Sequence, residues 1–299
     1  MRLLCLLAGL LPALVAAGTE TLTLATYNVE NYGPADRRTE AGFRRDYPKP
    51  ESEKTALRGV IRALGADLLA LQEIGSPAAL EELRRDLRSE GLDYPQSAYL
   101  EAEDRARHLA VLARRPLRAV RGHPVLPFAY LGGGERVKRG LLEVVVGTPA
   151  GDLTVYVVHL KSRLTERADD PGAALRRAAE AAAVRACVRM RFPDPASGAF
   201  VILGDCNDGE HSAALRRLAF AGTTRVAWRL PLADSRGESW TERYARGDAY
   251  AELDQILVSA VVRPWVRAGA ARIHDGAGVE AASDHRPVVA VLEFGRPGP

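Results

Sequence analysis

The residues in this chain best suited to chemistry stand where apolar runs stop. Val201, Ile202, Leu203 and Gly204 lead directly into Asp205, Cys206, Asn207 and Asp208, so an apolar run meets a carboxylate, a carboxamide and a second carboxylate. A run of this kind reads as a buried strand, and a strand exit is where a sheet presents chemistry to solvent. Alternation along the strand puts Asp205 and Asn207 on one side and turns Cys206 into packing. Two oxygen donors on one face suit a hard divalent cation or a phosphate-bound water; taken alone, they also describe an Asx turn closing a strand. The same ending recurs. Asn28 follows the alternating Leu22, Leu24 and Thr26, and Glu73 follows Leu68, Leu69, Ala70 and Leu71. His159 and Lys161 share the strand face of Val155 and Val157, which suits an anionic substrate better than a core. Asp254 opens an apolar run through Val258, and Asp284-His285 precede the last one. Turns and caps explain each ending singly but explain six of them poorly.

The elements that must position these groups alternate between strand and helix patterns. Residues 21–31 read as a strand that delivers Asn28 to a sheet edge with Glu30 just beyond. Residues 33–53 are polar, carry Arg37, Arg38, Arg44 and Arg45, and read as a solvated loop rather than a phosphate-contacting arm. Ala56, Leu57, Val60, Ile61 and Leu64 lie at helical spacing, closed by Gly65. Strand 67–74, a helix marked by Leu80, Leu83 and Leu87, and strands 94–100 and 109–113 follow. His108 opens the last of these as a site residue or an ordinary surface histidine. Gly132, Gly133 and Gly134 read as a flexible loop, ahead of strands 141–146 and 153–162. Residues 171–192 form a long helix with Ala181, Val184, Cys187 and Val188 as its packed stripe. Strands near Trp240, at 252–258 and at 286–294 complete the chain. No repeat or linker divides it.

The 299 residues, 47% hydrophobic and 26% charged, supply ample core, and the formal net charge of +3 does not by itself demand nucleic acid. Met1-Arg2, an apolar run from Leu3 and the exit Val15-Ala16-Ala17 read as a secretory signal peptide over residues 1–17, leaving one domain over residues 18–299. No other stretch approaches a membrane span. Cys187 and Cys206 remain after the signal; one available bridge is no disulfide framework, and two buried thiols are the expected state.

Jointly, Thr26-Tyr27-Asn28, Leu71-Gln72-Glu73, Val158-His159-Leu160, Gly204-Asp205-Cys206-Asn207, Leu253-Asp254-Gln255-Ile256 and Ser283-Asp284-His285 resemble the endonuclease/exonuclease/phosphatase superfamily, the DNase I-like fold. The initial Asn28-Val29-Glu30-Asn31, the Gly204-Asp205-Cys206-Asn207-Asp208 run and the Lys161-Ser162 extension after His159-Leu160 are similar to its bacterial exported nucleases. The resemblance implies a four-layered α/β sandwich, two mixed sheets face to face with helices outside. It makes Glu73 the principal ligand of Mg²⁺ (with Mn²⁺ or Ca²⁺ as substitutes), with Asn28 and Asp284 near it. It makes His285 the general base, oriented by Asp254, while Asp205 and Asn207 position water and phosphate and His159 stabilises charge on the phosphoryl group. Two positions depart from the commoner pattern: Cys206 replaces an aromatic residue, and Gln255 stands where His or Arg is frequent.

The reading is a secreted or periplasmic, metal-dependent phosphodiesterase, an endonuclease on nucleic acid, with Arg139, Lys161 and Lys138 binding substrate. It acts as a monomer without a protein partner and without stable membrane association. A phosphomonoesterase or an inositol or lipid phosphate hydrolase of the same superfamily is the second reading; sphingomyelin is disfavoured because no long apolar surface insertion is evident. A non-catalytic binding module is the third, and it is opposed by the presence of the glutamate, the aspartates and the terminal histidine.

Overall fold

A computed structural model describes residues 20–39 and 42–295; the expected signal peptide lies outside the described residues. Two sheets of six strands dominate. The first contains β1 (Glu20–Tyr32), β2 (Leu68–Ile74), β3 (Gln96–Leu100) and β4 (His108–Ala113). The second contains β5 (Leu117–His123), β6 (Leu141–Thr148), β7 (Gly151–His159), β8 (Phe200–Asp205), β9 (Trp228–Arg229) and β10 (Asp254–Val258). The chain then returns to the first sheet with β11 (Arg272–Ile273) and β12 (Val288–Phe294). The strand orders are β11-β12-β1-β2-β4-β3 and β9-β10-β8-β7-β6-β5.

Each strand of this kind is apolar on both sides because both faces are covered. Leu22, Leu24, Leu68 and Val111 of one sheet pack against Val144, Val155, Val157 and Leu203 of the other. The intervening residues point outward: Ala25, Tyr27, Leu69 and Leu71 meet α1 (Glu51–Leu64) and α2 (Pro77–Ser89). On the opposite side, Tyr156, Val158, Phe200 and Ile202 meet α3 (Ala174–Arg191) and α4 (Ala213–Ala219). The result is the four-layered α/β sandwich expected from the sequence. Gly65 ends α1 at φ 58, as its position predicts, and Ser76 caps α2 by accepting from the Ala79 amide at 3.2 Å.

Strand direction explains why the polar endings gather. β1 pairs parallel with β2, with Asn28 opposite Gln72, and β7 pairs parallel with β8, with His159 opposite Asp205. β10 runs antiparallel to β8 and starts at Asp254 opposite Asp205. β12 runs antiparallel to β1, so Asp284 and His285 approach the end where β1 leaves. Parallel exits and antiparallel entries therefore meet at one end of the sandwich.

Several expectations change. Residues 33–53 are not all loop: Ala35–Thr39 and Gly42–Tyr47 form an exposed hairpin. Its strands carry arginines and aspartates in place of apolar alternation, so the period that marks a buried strand is absent. Arg37 turns back onto the carbonyls of Asn31 and Gly33. The glycine run is a second hairpin, Pro127–Tyr130 with Gly133–Arg136, turning on Leu131 (φ 45) and Gly132 (φ 80); two residues at positive φ suit a tight hairpin turn. The strand expected near Trp240 is Glu242–Tyr244, paired with Ala249–Ala251. His108 is buried, not a surface residue, and its ring sits 5.3 Å from that of Tyr99. Cys187 and Cys206 are free thiols, with Cys206 buried and Cys187 partly exposed.

Candidate active site

The backbone leaves regular geometry where β1 and β2 present their polar ends. Glu30, Asn31 and Glu73 have φ of 48, 53 and 65, and the β1–β2 and β2–β4 registers both shift there. Asn207 has φ 51. Such conformations cost side-chain-bearing residues free energy and concentrate at functional sites. The bulge in β2 turns Glu73 out of the pleat, and its Oε2 accepts from the Asn31 amide at 3.0 Å.

Asp205 is the hub. Its Oδ1 accepts from the Asn207 amide at 2.7 Å. Its Oδ2 accepts from Asn28 Nδ2 at 3.0 Å and Asn207 Nδ2 at 3.2 Å, with His159 Nε2 at 3.3 Å and His285 Nε2 at 4.0 Å. Asn207 Nδ2 also donates to the Leu160 carbonyl at 3.0 Å. Cys206 packs in the helix-side core, so the strand alternation read from sequence holds through this exit. Burial, with Asp254 adding to it and His285 opposing it, pushes the Asp205 carboxyl up to about 7.

His285 Nδ1 lies 2.7 Å from Asp254 Oδ2. A carboxylate only accepts, so this contact places a proton on Nδ1 and turns Nε2 toward Asn28 and Asp205. Burial would depress the imidazole, but Asp254 outweighs it and holds His285 well above the ordinary histidine range. Burial, then Arg139 and His285, depress His159. The two histidines thus differ in basicity, His285 the stronger base and His159 the weaker. Ser283 braces the arrangement: its hydroxyl donates to the Asn28 carbonyl at 2.8 Å and accepts from the His285 amide at 3.1 Å. Thr241 Oγ1 accepts from the Leu253 and Asp254 amides at 2.9 and 3.0 Å.

The structure brings Asn28, Asp205, Asn207, His159, Asp254 and His285 into one network, with Glu73 at its margin, 4.0 Å from His159 Nε2. Asp284, next to His285, is exposed, its amide donating to Glu30 Oε2 at 3.3 Å. Burial and Asp284 push Glu30 up to about 7. Arg139 is buried and engaged: its Nε meets Asp104 at 3.0 Å and its Nη1 the Leu160 carbonyl at 3.3 Å. Lys161 bonds Ser162 and the Leu164 carbonyl, and burial with Arg139 and Lys138 brings its ammonium down to about 8. Lys138 is half-buried beside them, its amide meeting buried Glu180.

Arg107 is a site neighbour that the sequence motifs do not mark. It enters β4, antiparallel to β2, and its Nε reaches Glu73 Oε1 at 3.4 Å. Its signal is only the pairing of that strand entry with the Glu73 exit.

A cation fits this donor set in one manner. Among the described residues no three His, Cys, Asp or Glu side chains converge into a closed cage. Glu73 and Asn28 instead offer few oxygen donors at neighbouring strand ends. Mg²⁺ is commonly held by one or two carboxylates while keeping waters and taking substrate phosphate, and a surplus of carboxylates at this end supplies the compensating charge.

With fold and geometry in place, comparison with known proteins agrees on the class. The profile of the Endonuclease/Exonuclease/phosphatase family matches residues 25–285, and the chain belongs to that family. It is a phosphoesterase of that superfamily, with the DNase I-like fold. A family member from Bacteroides vulgatus superposes with a TM-score of 0.63 at 15% identity, covering 92% of this chain and 100% of that one. Sphingomyelinase C from Streptomyces griseocarneus gives 0.60 at 18% identity, over 92% and 100%. The human Nocturnin catalytic domain gives 0.59 at 13% identity, over 92% and 98%. No curated protein sequence matches the chain.

Proposed function

We propose that this chain is a metal-dependent phosphodiesterase that hydrolyses nucleic acid by attack of water on the phosphorus. The observation that carries the reading is the His285–Asp254 contact of 2.7 Å, with His285 Nε2 facing the Asn28–Asp205 pair. Asp254 fixes the ring and strengthens it as a base, so that Nε2 in its unprotonated form receives the proton of an attacking water. Asp205 and Asn207 orient that water and the phosphate, which fixes in-line geometry. Neutral His159 donates from Nε2 to a phosphoryl oxygen as charge develops on it. Glu73 and Asn28 would hold Mg²⁺, with Asp284 a further acidic group for it, and the cation would supply charge neutralisation at the phosphate. Half-exposed Arg107, Arg163 and Arg243 supply guanidinium groups for the flanking backbone, with Lys138 and Lys161 behind them. Export through the leader over residues 1–17 and a monomeric state belong to this proposal.

A lipid phosphodiester is the second reading. It is favoured by Tyr244 and Tyr250, 53% and 49% exposed on the hairpin bridged to His285 at Glu242, and by Leu164, 85% exposed. One panel separates the two. Purified chain is incubated with plasmid, single-stranded DNA, RNA and sphingomyelin vesicles, with Mg²⁺ and with EDTA. Cleavage of nucleic acid that EDTA abolishes is expected. Release of a lipid headgroup without nucleic acid cleavage overturns the nuclease reading.

A further inference from the structure

A second chemical constellation lies outside the phosphoesterase site, under the C-terminal half of α3. Cys187 Sγ is 3.6 Å from His123 Nδ1, and His123 Nε2 is 3.1 Å from Glu143 Oε2. Glu143 is only 2% exposed and also meets Arg121 Nη1 at 2.7 Å and Arg191 Nε at 3.3 Å. The sheet explains the convergence: Arg121 on β5 is opposite Glu143 on β6, which is opposite Tyr156 on β7. The Tyr156 ring is fully buried, and its hydroxyl has no hydrogen-bond partner among the described residues. Glu143 and Cys187 are the ionisable groups that act on that hydroxyl most strongly after burial. Above the thiol opens a cavity of about 590 Å³ whose walls are Leu126, Pro127, Ala183 and Met190, with Arg121 and Arg191 at its polar side.

Glu143 accepts the Nε2 proton, which leaves Nδ1 as the acceptor that faces the thiol. A nucleophile beside a base that a carboxylate orients is the arrangement that activates a resting thiol on demand. Burial and Glu143 raise the Cys187 thiol, so it rests protonated and needs that base. Cys206, by contrast, is fully buried with no such neighbour.

We propose that Cys187 is a thiol-modification site for small aromatic or aliphatic disulfides that carry a carboxylate, taken up in this cavity. The Cys187 proton passes to His123 Nδ1 as the sulfur attacks one disulfide sulfur. The new S–S bond joins Cys187 to half of the reagent; the old S–S bond breaks, and the departing thiolate takes the proton from the imidazolium. No further oxidant is consumed. Apolar walls hold the body of the ligand, and the two guanidinium groups meet its carboxylate.

The test treats the purified chain with dithiobis(nitrobenzoic acid), follows thiol release, and maps the adduct by peptide mass. Cys187 is expected to react and Cys206 to stay free. His123→Ala is expected to slow the reaction about 100-fold, the low end of what a positioned base contributes. Glu143→Gln is expected to slow it at least about 10-fold, with far-UV circular dichroism unchanged for both variants. Failure of Cys187 to react, or reaction no faster than N-acetylcysteine and insensitive to both substitutions, overturns the proposal.

Discussion

Asn28 and Asp205 meet at 3.0 Å across the seam between the two sheets, although 177 positions separate them in the chain. Two further contacts cross the same seam: His285 to Asp254 at 2.7 Å and His159 to Glu73 at 4.0 Å. In two of these pairs each sheet supplies one member; in the third, Asp254 of β10 meets His285, which lies just ahead of β12 and is bridged to Glu242. The site is therefore held by the packing that joins the sheets, not by any single loop.

Asp205→Asn keeps the shape of the hub and removes its charge. Steady-state kinetics are expected to show kcat lowered about 100-fold or more, because water and phosphate lose their orienting acceptor. The thermal midpoint is expected to hold or rise, since a buried carboxylate is replaced by a neutral group. A variant with full activity would remove Asp205 from the mechanism.

His285→Ala is expected to lower kcat by about 10²–10⁴, the range for losing a positioned base. Asp254→Asn is expected to fall in the same range by releasing the ring from its tautomer. Unchanged circular dichroism in both variants, with activity lost, separates the chemistry from folding. Wild-type turnover by His285→Ala would sink the proposed mechanism.

EDTA is expected to abolish hydrolysis, and added Mg²⁺ to restore it. Glu73→Gln is expected to raise the Mg²⁺ concentration needed for half-maximal rate about 10-fold or more, the scale on which ligand shells alter affinity. A metal titration of the rate measures this; an unchanged midpoint would assign the cation elsewhere.

Acid stability follows from two buried pairs. Burial opposes ionisation of Asp104 and Asp234, but Arg139 at 3.0 Å and Arg286 at 2.8 Å outweigh it and hold both carboxyls below the ordinary range. A depressed carboxyl contributes stability above its unfolded pKa and loses it as pH falls through the folded one. Thermal midpoints are therefore expected to drop steeply on acidification below the ordinary carboxylate range. Asp104→Ala leaves Arg139 buried without its counter-ion and is expected to destabilise the fold by about 3–5 kcal/mol near neutrality, with a shallower acid limb. Urea unfolding across pH checks both.

Gly204 sits at φ 138 inside β8, where a Cβ would stand 2.0 Å from the Val158 carbonyl oxygen. Backbone cannot yield there as a flexible side chain would. Gly204→Ala is expected to cost about 3 kcal/mol or more and to displace neighbouring Asp205, so activity and thermal midpoint fall together.

Much of this site was legible because buried strands leave a plain mark: an apolar run that stops at Asp205 or Glu73, or starts at Asp254, shows where a sheet ends. The four layers came with the family resemblance that these endings carry, and strands apolar on both sides agree with it because they need two covers. What the sequence hides is long-range pairing. Arg107 meets Glu73 only because β4 runs antiparallel to β2. Arg139 reads as a free cation until Asp104, 35 positions away, is folded against it. The exposed hairpin Ala35–Thr39 with Gly42–Tyr47 lacks an apolar face, so nothing in its periodicity announces it.

β12, the last strand, inserts between β11 and β1, the first. His285 rides on its approach, so the proposed general base reaches the site only when β12 docks beside β1. Until β12 docks, Glu73, His159 and Asp205 lack His285, and hydrolysis by the proposed mechanism is not expected. Removal of β12, from Val288 onward, is expected to abolish activity as His285→Ala does, measured by the same assay. The topology thus couples closure of the first sheet to completion of the proposed site.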